Sequence, residues 1–140
     1  MFLCYPVNAD WIIDEPLYFG VFAISSNSSQ SSISVSVNNH TYATNAIHTI
    51  KGGRAAEIRL VNFPIYTRLF ITAVLPQKTT VFAGSTEQFV LSQVDMPSSV
   101  ITNSNGEASI RVGGTLTTSG NGGRYLNTTY DVTLMLSLNY

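Results

Sequence analysis

Apolar and polar residues alternate along much of this chain, most clearly from Tyr130 to Tyr140. One face of that segment carries Tyr130, Val132, Leu134, Leu136, Leu138 and Tyr140. The intervening positions are polar, with Met135 as the single exception. A period of two over this length indicates a half-buried β-strand rather than a helix. We expect this terminal strand to be held by its own sheet or by another protein.

The same period recurs in shorter segments between turn signals. Further strands are predicted at 11–13, 16–24, 33–37, 40–50, 56–61, 69–75, 81–82, 89–94 and 108–116. Asn105-Gly106 is the strongest turn signal, and Gly113-Gly114 inside a strand predicts a bulge or a close backbone approach. Several short strands separated by turns indicate an all-β fold, and we predict a single immunoglobulin-like antiparallel β-sandwich over residues 10–140.

The alternation also predicts which side chains fill the space between the two sheets. These core positions are Phe19, Phe22, Val35, Ile58, Leu60, Ile71, Ile110, Val112, Leu134 and Leu136. Their period-two placement in several predicted strands is the basis of this prediction.

Residues 1–9 form a distinct apolar segment that ends in Val7-Asn8-Ala9. Small residues at that spacing are typical of a signal-peptide cleavage site, so residues 1–9 have two interpretations. They are either the remnant of a signal peptide that is cleaved before Asp10, or an N-terminal extension that stays with the domain.

Charge is scarce: charged residues make up 11% of the chain and the net charge is -1. This balance gives no electrostatic basis for binding nucleic acid or an anionic membrane, and no apolar stretch is long enough for a membrane-spanning helix. The charged fraction is well below the quarter that is usual in globular proteins. Ser, Thr and Asn supply about 30% of the residues instead. Such a composition is common in secreted and cell-surface β-proteins. The single cysteine, Cys4, excludes an intrachain disulfide and a cysteine-based zinc site.

The residues that carry chemistry in enzymes are scattered here. His40 and His48 lack the spacing of helical metal ligands, and the eight carboxylates form no pair suited to acid–base work. No Gly-x-Ser-x-Gly nucleophile motif is present. We therefore expect no catalytic site, no cofactor and no metal.

Three motifs together resemble a known family. They are Leu17-Tyr18-Phe19-Gly20, then Arg111-Val112-Gly113-Gly114-Thr115-Leu116-Thr117, then Tyr125 followed by Val132-Thr133-Leu134 and the final Asn139-Tyr140. The pattern resembles small secreted bacterial β-domains of unknown function. That family is similar in outline to the spore coat protein U domain and to subunits of archaic chaperone–usher pili. The resemblance spans roughly residues 16–140.

The resemblance implies an exported structural or adhesive protein of the bacterial surface, secreted or periplasmic. A subunit of this type forms a homo-oligomer or polymer by β-strand complementation, with a periplasmic chaperone as a further partner. The implied strand donor contains Tyr5, Val7, Trp11 and Ile13. The implied acceptor is the terminal strand, with Tyr130, Val132, Leu134, Leu136, Leu138 and Tyr140. The alternative is a secreted or periplasmic binding module, most plausibly for carbohydrate.

Overall fold

Antiparallel strands build the part of the chain that the structure describes. The computed structural model describes residues 10–81 and 86–140. The strands are β1 (Asp10–Glu15), β2 (Val21–Ile24), β3 (Ser32–Val35), β4 (Thr41–Ala43), β5 (Ile47–Lys51), β6 (Ala56–Val61), β7 (Arg68–Ala73), β8 (Gln77–Lys78), β9 (Val90–Asp95), β10 (Ser99–Ile101), β11 (Ala108–Thr117) and β12 (Leu136–Asn139). The described residues contain no helix, so the all-β prediction is confirmed.

The strands of the described residues form three sheets. The largest contains the path β1-β6-β11-β3-β4, with β9 also paired to β11 and β8 to β9. A second sheet has the order β10-β7-β12, and β2 pairs with β5 in a third. Packed antiparallel sheets of this kind are consistent with a β-sandwich. The finer prediction of an immunoglobulin-like topology stays a prediction.

The long strand β11 joins the two halves of the molecule. Its first half, up to Val112, pairs with β6. Its second half lies between β3 and β9, because Thr115 pairs with both Ser34 and Gln93. One strand therefore fixes the position of both halves of the core.

Two clusters of buried side chains form that core. The first lies between β6, the start of β11 and the sheet β10-β7-β12. The second surrounds Phe89 and Leu116. Eight of the ten predicted core residues are buried, whereas Phe22 and Leu134 are half-buried and pack against the clusters. The alternation rule thus found the core face of β3, β6, β7, β11 and β12.

Gly113 is required because two strands approach each other closely. A Cβ at this position would clash with the backbone carbonyl oxygen of Val35 in β3. The predicted close approach is confirmed. The register irregularity in this region lies in the pairing of β11 with β9, where the register shifts between Thr115 and Leu116.

The structure divides two of the predicted strands. The run 16–24 is interrupted at Gly20, whose φ of 88° takes the backbone out of the extended region. The run 40–50 is divided into β4 and β5 at Asn45, with a φ of 51°. The terminal strand is regular only over β12, although its in–out alternation continues back to Val132. Strand β10 lies outside the strands predicted from the sequence.

Leu136 and Leu134 provide a matched test of this core. Leu136 is 1% exposed, whereas Leu134 is half-buried at the edge of both clusters. Leu136→Ala should lower the free energy of unfolding by about 2–5 kcal/mol through lost burial and a residual cavity. Leu134→Ala should cost clearly less. Chemical denaturation of both variants measures this difference, and an equal or larger loss for Leu134→Ala would contradict the described burial.

Candidate assembly surface

Strand β1 forms one edge of the large sheet and pairs only with β6 in the described residues. Trp11 lies opposite Leu60 and Ile13 opposite Ile58. Because opposite residues share a face, both side chains point to the inner side of the sheet. Ile58 is buried there, yet 47% of Ile13 is exposed. The inner face is therefore incompletely covered along β1.

Ion pairs on the outer face fix β1 to its own sheet. Arg59 donates two hydrogen bonds to Asp14, at 2.8 and 3.1 Å, and Arg54 lies 3.9 Å from Glu15. The hydrogen bonds from Arg59 lower the pKa of Asp14. Both side chains remain substantially exposed, so the pair orients β1 more than it stabilises the fold.

Strand β12 forms an edge of the three-stranded sheet. It pairs with β7, with Ser137 opposite Thr72. The amide of Val74 donates to the carbonyl oxygen of Met135 at 2.9 Å. Hydrogen bonding alternates along an antiparallel pair, so the amides of Ser137 and Asn139 face β7, and those of Leu136 and Leu138 face away. Within 10–81 and 86–140, no strand pairs with that outward side.

The two edges lie on the same side of the sandwich. The two sheets meet through the connections β6–β7 and β10–β11, so β1 lies beyond β6 on the side where β12 lies beyond β7. Phe63 follows β6 and Tyr140 follows β12, and their rings contact edge-to-face with centroids 5.7 Å apart. The side between β1 and β12 thus combines an unpaired backbone edge with apolar surface.

The segment before β12 is held by its tyrosines. Tyr130 packs edge-to-face on buried Phe89, and its hydroxyl group contacts Thr86 at 2.7 Å and donates to the carbonyl oxygen of Leu126 at 3.0 Å. The Tyr125 ring contacts the same Phe89 ring, with centroids 4.5 Å apart and the planes tilted by 34°. Burial raises the pKa of the Tyr125 hydroxyl group. An isolated antiparallel bridge joins Thr80 to Asp131. The segment that leads into β12 is therefore anchored on the core.

The structure brings some of the predicted assembly residues together. Leu136 and Leu138 are buried in the first cluster, Val132 and Leu134 pack against the core, and Tyr140 remains 43% exposed. Trp11 and Ile13, assigned to a strand donor, lie in β1 of their own chain. Tyr5 and Val7 lie outside the described residues.

One serine–histidine pair also occurs on the surface. The Ser25 hydroxyl oxygen lies 3.2 Å from Nε2 of His48, and both residues are exposed. A catalytic pair of this kind needs a third group to orient the histidine. No carboxylate in the described ranges hydrogen-bonds to His48, and no group of three metal-ligating side chains occurs there. The expectation that the chain is not an enzyme stays a prediction.

Sequence reasoning missed a hydroxyl-lined groove on the outer face of β3, β11 and β9. It encloses about 340 Å³ between Ser32, Ser34, Thr115, Thr117, Thr44, Ser92, Gln93, Gln30 and Ser31. The Ser34 and Thr115 hydroxyl groups are 2.8 Å apart. A second hollow of about 440 Å³ continues past Ser92 and Gln93 to Leu75 and Asp95. The signal was present in the serines and threonines that alternate with Ile33 and Leu116.

Comparisons with family models, with curated proteins and with solved structures find no match for this chain. Across the described ranges, no helical segment has the length and apolar character needed to cross a membrane.

Amide hydrogen exchange tests directly whether the outer edge of β12 lacks a partner in the monomer. In dilute monomer, the amides of Leu136 and Leu138 should exchange at least about tenfold faster than that of Ser137, after correction for intrinsic rates, because only Ser137 donates to β7. Residue-specific NMR exchange measures all three. Equal protection in the monomer would show that another part of the same chain covers this edge.

Proposed function

We propose that this protein is an exported structural or adhesive surface protein that assembles by β-strand complementation, as a pilus subunit does. The observation that carries the proposal is the side between β1 and β12, where no strand of the described residues pairs with the outer edge of β12. There the backbone groups of Leu136 and Leu138 point outward without a strand partner in the described residues, and inward-facing Ile13 is half-exposed.

A strand added beside β12 would pair with its backbone and cover Ile13 at the same time. Its backbone would pair with the outer edge of β12, and alternate side chains would cover the inner face beside Ile13. Edge strands of this kind are otherwise a liability, which proteins usually cover or blunt with charges. The immunoglobulin-like topology, the periplasmic chaperone partner and the location at the cell surface belong to the same proposal.

We assign the donor strand to residues 1–9. Trp11 and Ile13 are committed to β1 of their own sheet, which leaves Tyr5 and Val7 as the inserting side chains. Nine extended residues reach about 30 Å, enough to span β12 and the segment before it. Removal of residues 1–9 as a signal peptide would abolish this donor, so the intact mass of the purified protein is measured first.

A disulfide trap tests strand donation. In an extended donor, Cys4 has the parity opposite to Tyr5 and Val7, so it faces outward, as Ser137 does on β12. Ser137→Cys should therefore form intermolecular disulfides with the native Cys4 under oxidising conditions. A non-reducing gel should then show a ladder of multimers.

Two control variants test whether the disulfide is specific to Cys4 and position 137. Ser34→Cys places a thiol on the outer face of β3, away from the open side, and should give no ladder. Adding Cys4→Ser to Ser137→Cys should abolish the ladder. A disulfide closed within one monomer, or a native chain that begins at Asp10, would contradict donation between copies.

The hydroxyl-lined groove supports a second candidate function, a binding module for neutral carbohydrate. The side chains that line its 340 Å³ hollow are all uncharged hydroxyl and amide groups, which suit a polyhydroxylated ligand. Hydroxyl pairs such as Ser34 and Thr115 also stabilise a sheet without any ligand. Binding data therefore decide whether these hydroxyl groups bind carbohydrate or only stabilise the sheet.

Titration with maltotriose and chitotriose, followed by amide chemical shifts, tests the groove. A carbohydrate module should show saturable shifts at Ser34, Gln93 and Thr115. Thr115→Val should weaken binding severalfold because it removes a hydroxyl group, whereas Thr72→Val on the outer face of β7 should not. No shift at about 10 mM sugar would exclude useful affinity for these sugars.

A further inference from the structure

The loop between β6 and β7 presents two large apolar side chains to solvent. Ile65 is 56% exposed and Tyr66 is 69% exposed. Adjacent exposed side chains of this size are unusual in a loop, where polar residues normally predominate. Tyr66 also has a φ of 51°, a left-handed conformation that is costly for a bulky residue.

Hydrogen bonds from a buried threonine hold this loop in place. The Thr102 hydroxyl group donates to the carbonyl oxygen of Pro64 at 2.6 Å and accepts from the amide of Thr67 at 2.8 Å. Thr102 itself is only 2% exposed. The amide of Phe63 donates to the carbonyl oxygen of Gly106 at 3.1 Å, which fixes the other end of the loop. Ile65 and Tyr66 are therefore held on a rigid support, which lowers the entropy cost of binding.

The loop lies where residues 1–9 join the described fold. Asp10 is opposite Val61 at the end of β6, and the Asn62 side-chain amide donates to the Asp10 carboxylate at 3.1 Å. Ile65 is four positions after Val61, so the loop lies at most about 20 Å from the start of β1. A standard protein interface is wider than this distance.

We propose that Ile65 and Tyr66 contact a second copy of this chain and form the end-to-end contact of the assembly. This inference rests on the proposed function. If residues 1–9 enter the groove of a neighbouring copy, that copy must abut the end of the molecule that carries Asp10, because no linker separates residue 9 from β1. Ile65 and Tyr66 then face the neighbour, and a tyrosine is among the side chains most used as interface anchors.

Photo-crosslinking at position 66 tests this contact in the full-length chain. A photoreactive benzoylphenylalanine in place of Tyr66 should give covalent dimers on irradiation, with the crosslinked peptide mapped by mass spectrometry. The same substitution at Tyr42, a tyrosine on β4 that is 60% exposed, is the matched control and should give none. Ile65→Ser with Tyr66→Ser should lower self-association at least tenfold without shifting the melting temperature of the monomer.

The outcomes separate the two proposals. A disulfide ladder between Cys4 and the Ser137→Cys position, without crosslinks from position 66, would overturn the contact and leave strand donation intact. Crosslinked dimers without the ladder would support the contact and overturn strand donation. Equal crosslinking from positions 42 and 66 would show random collision and overturn the contact.

Discussion

The outer backbone edge of β12, which no strand of the described residues pairs with, is the constraint on which the rest of the structure depends. Leu136 and Leu138 place their side chains deep in the first core cluster, yet their backbone groups point away from β7. A sheet edge beside a buried core must be solvated, covered or paired. The fold supplies a paired strand on one side and, within the described residues, none on the other.

The rest of the architecture leaves this edge in place. Strand β11 fixes both halves of the core, and Gly113 lets it approach β3 closely enough to do so. Tyr125 and Tyr130 anchor the chain on Phe89 before it enters β12. None of these contacts involves the outward edge of β12.

Much of the fold follows from alternation in the sequence. Ile58 and Leu60, like Ile110 and Val112, are buried because each strand has one polar and one apolar face. The division of 40–50 was not predictable from this rule, since it depends on the left-handed backbone of Asn45. Strand β10 was missed because three residues are too few to show an alternation, and its existence depends on pairing with β7.

The candidate site was only partly visible in the sequence. Alternation identified the face that Leu136 and Leu138 share, but it could not show which backbone edge lacks a partner. Likewise, the sequence placed Ile13 in a strand without showing that its inward face is half-exposed. The Tyr66 loop was missed because its exposure depends on the tertiary hydrogen bonds of Thr102. Edges and exposed loops are properties of the assembled sheets rather than of local segments.

The most direct test of the central claim is the mass of the purified intact chain in solution as a function of concentration. Sedimentation velocity should resolve a series of species at multiples of the 15.2 kDa chain mass, and their proportion should rise with concentration. This result is expected if the edge of β12 accepts a strand from another copy. A single 15.2 kDa species at every concentration would contradict assembly through that edge.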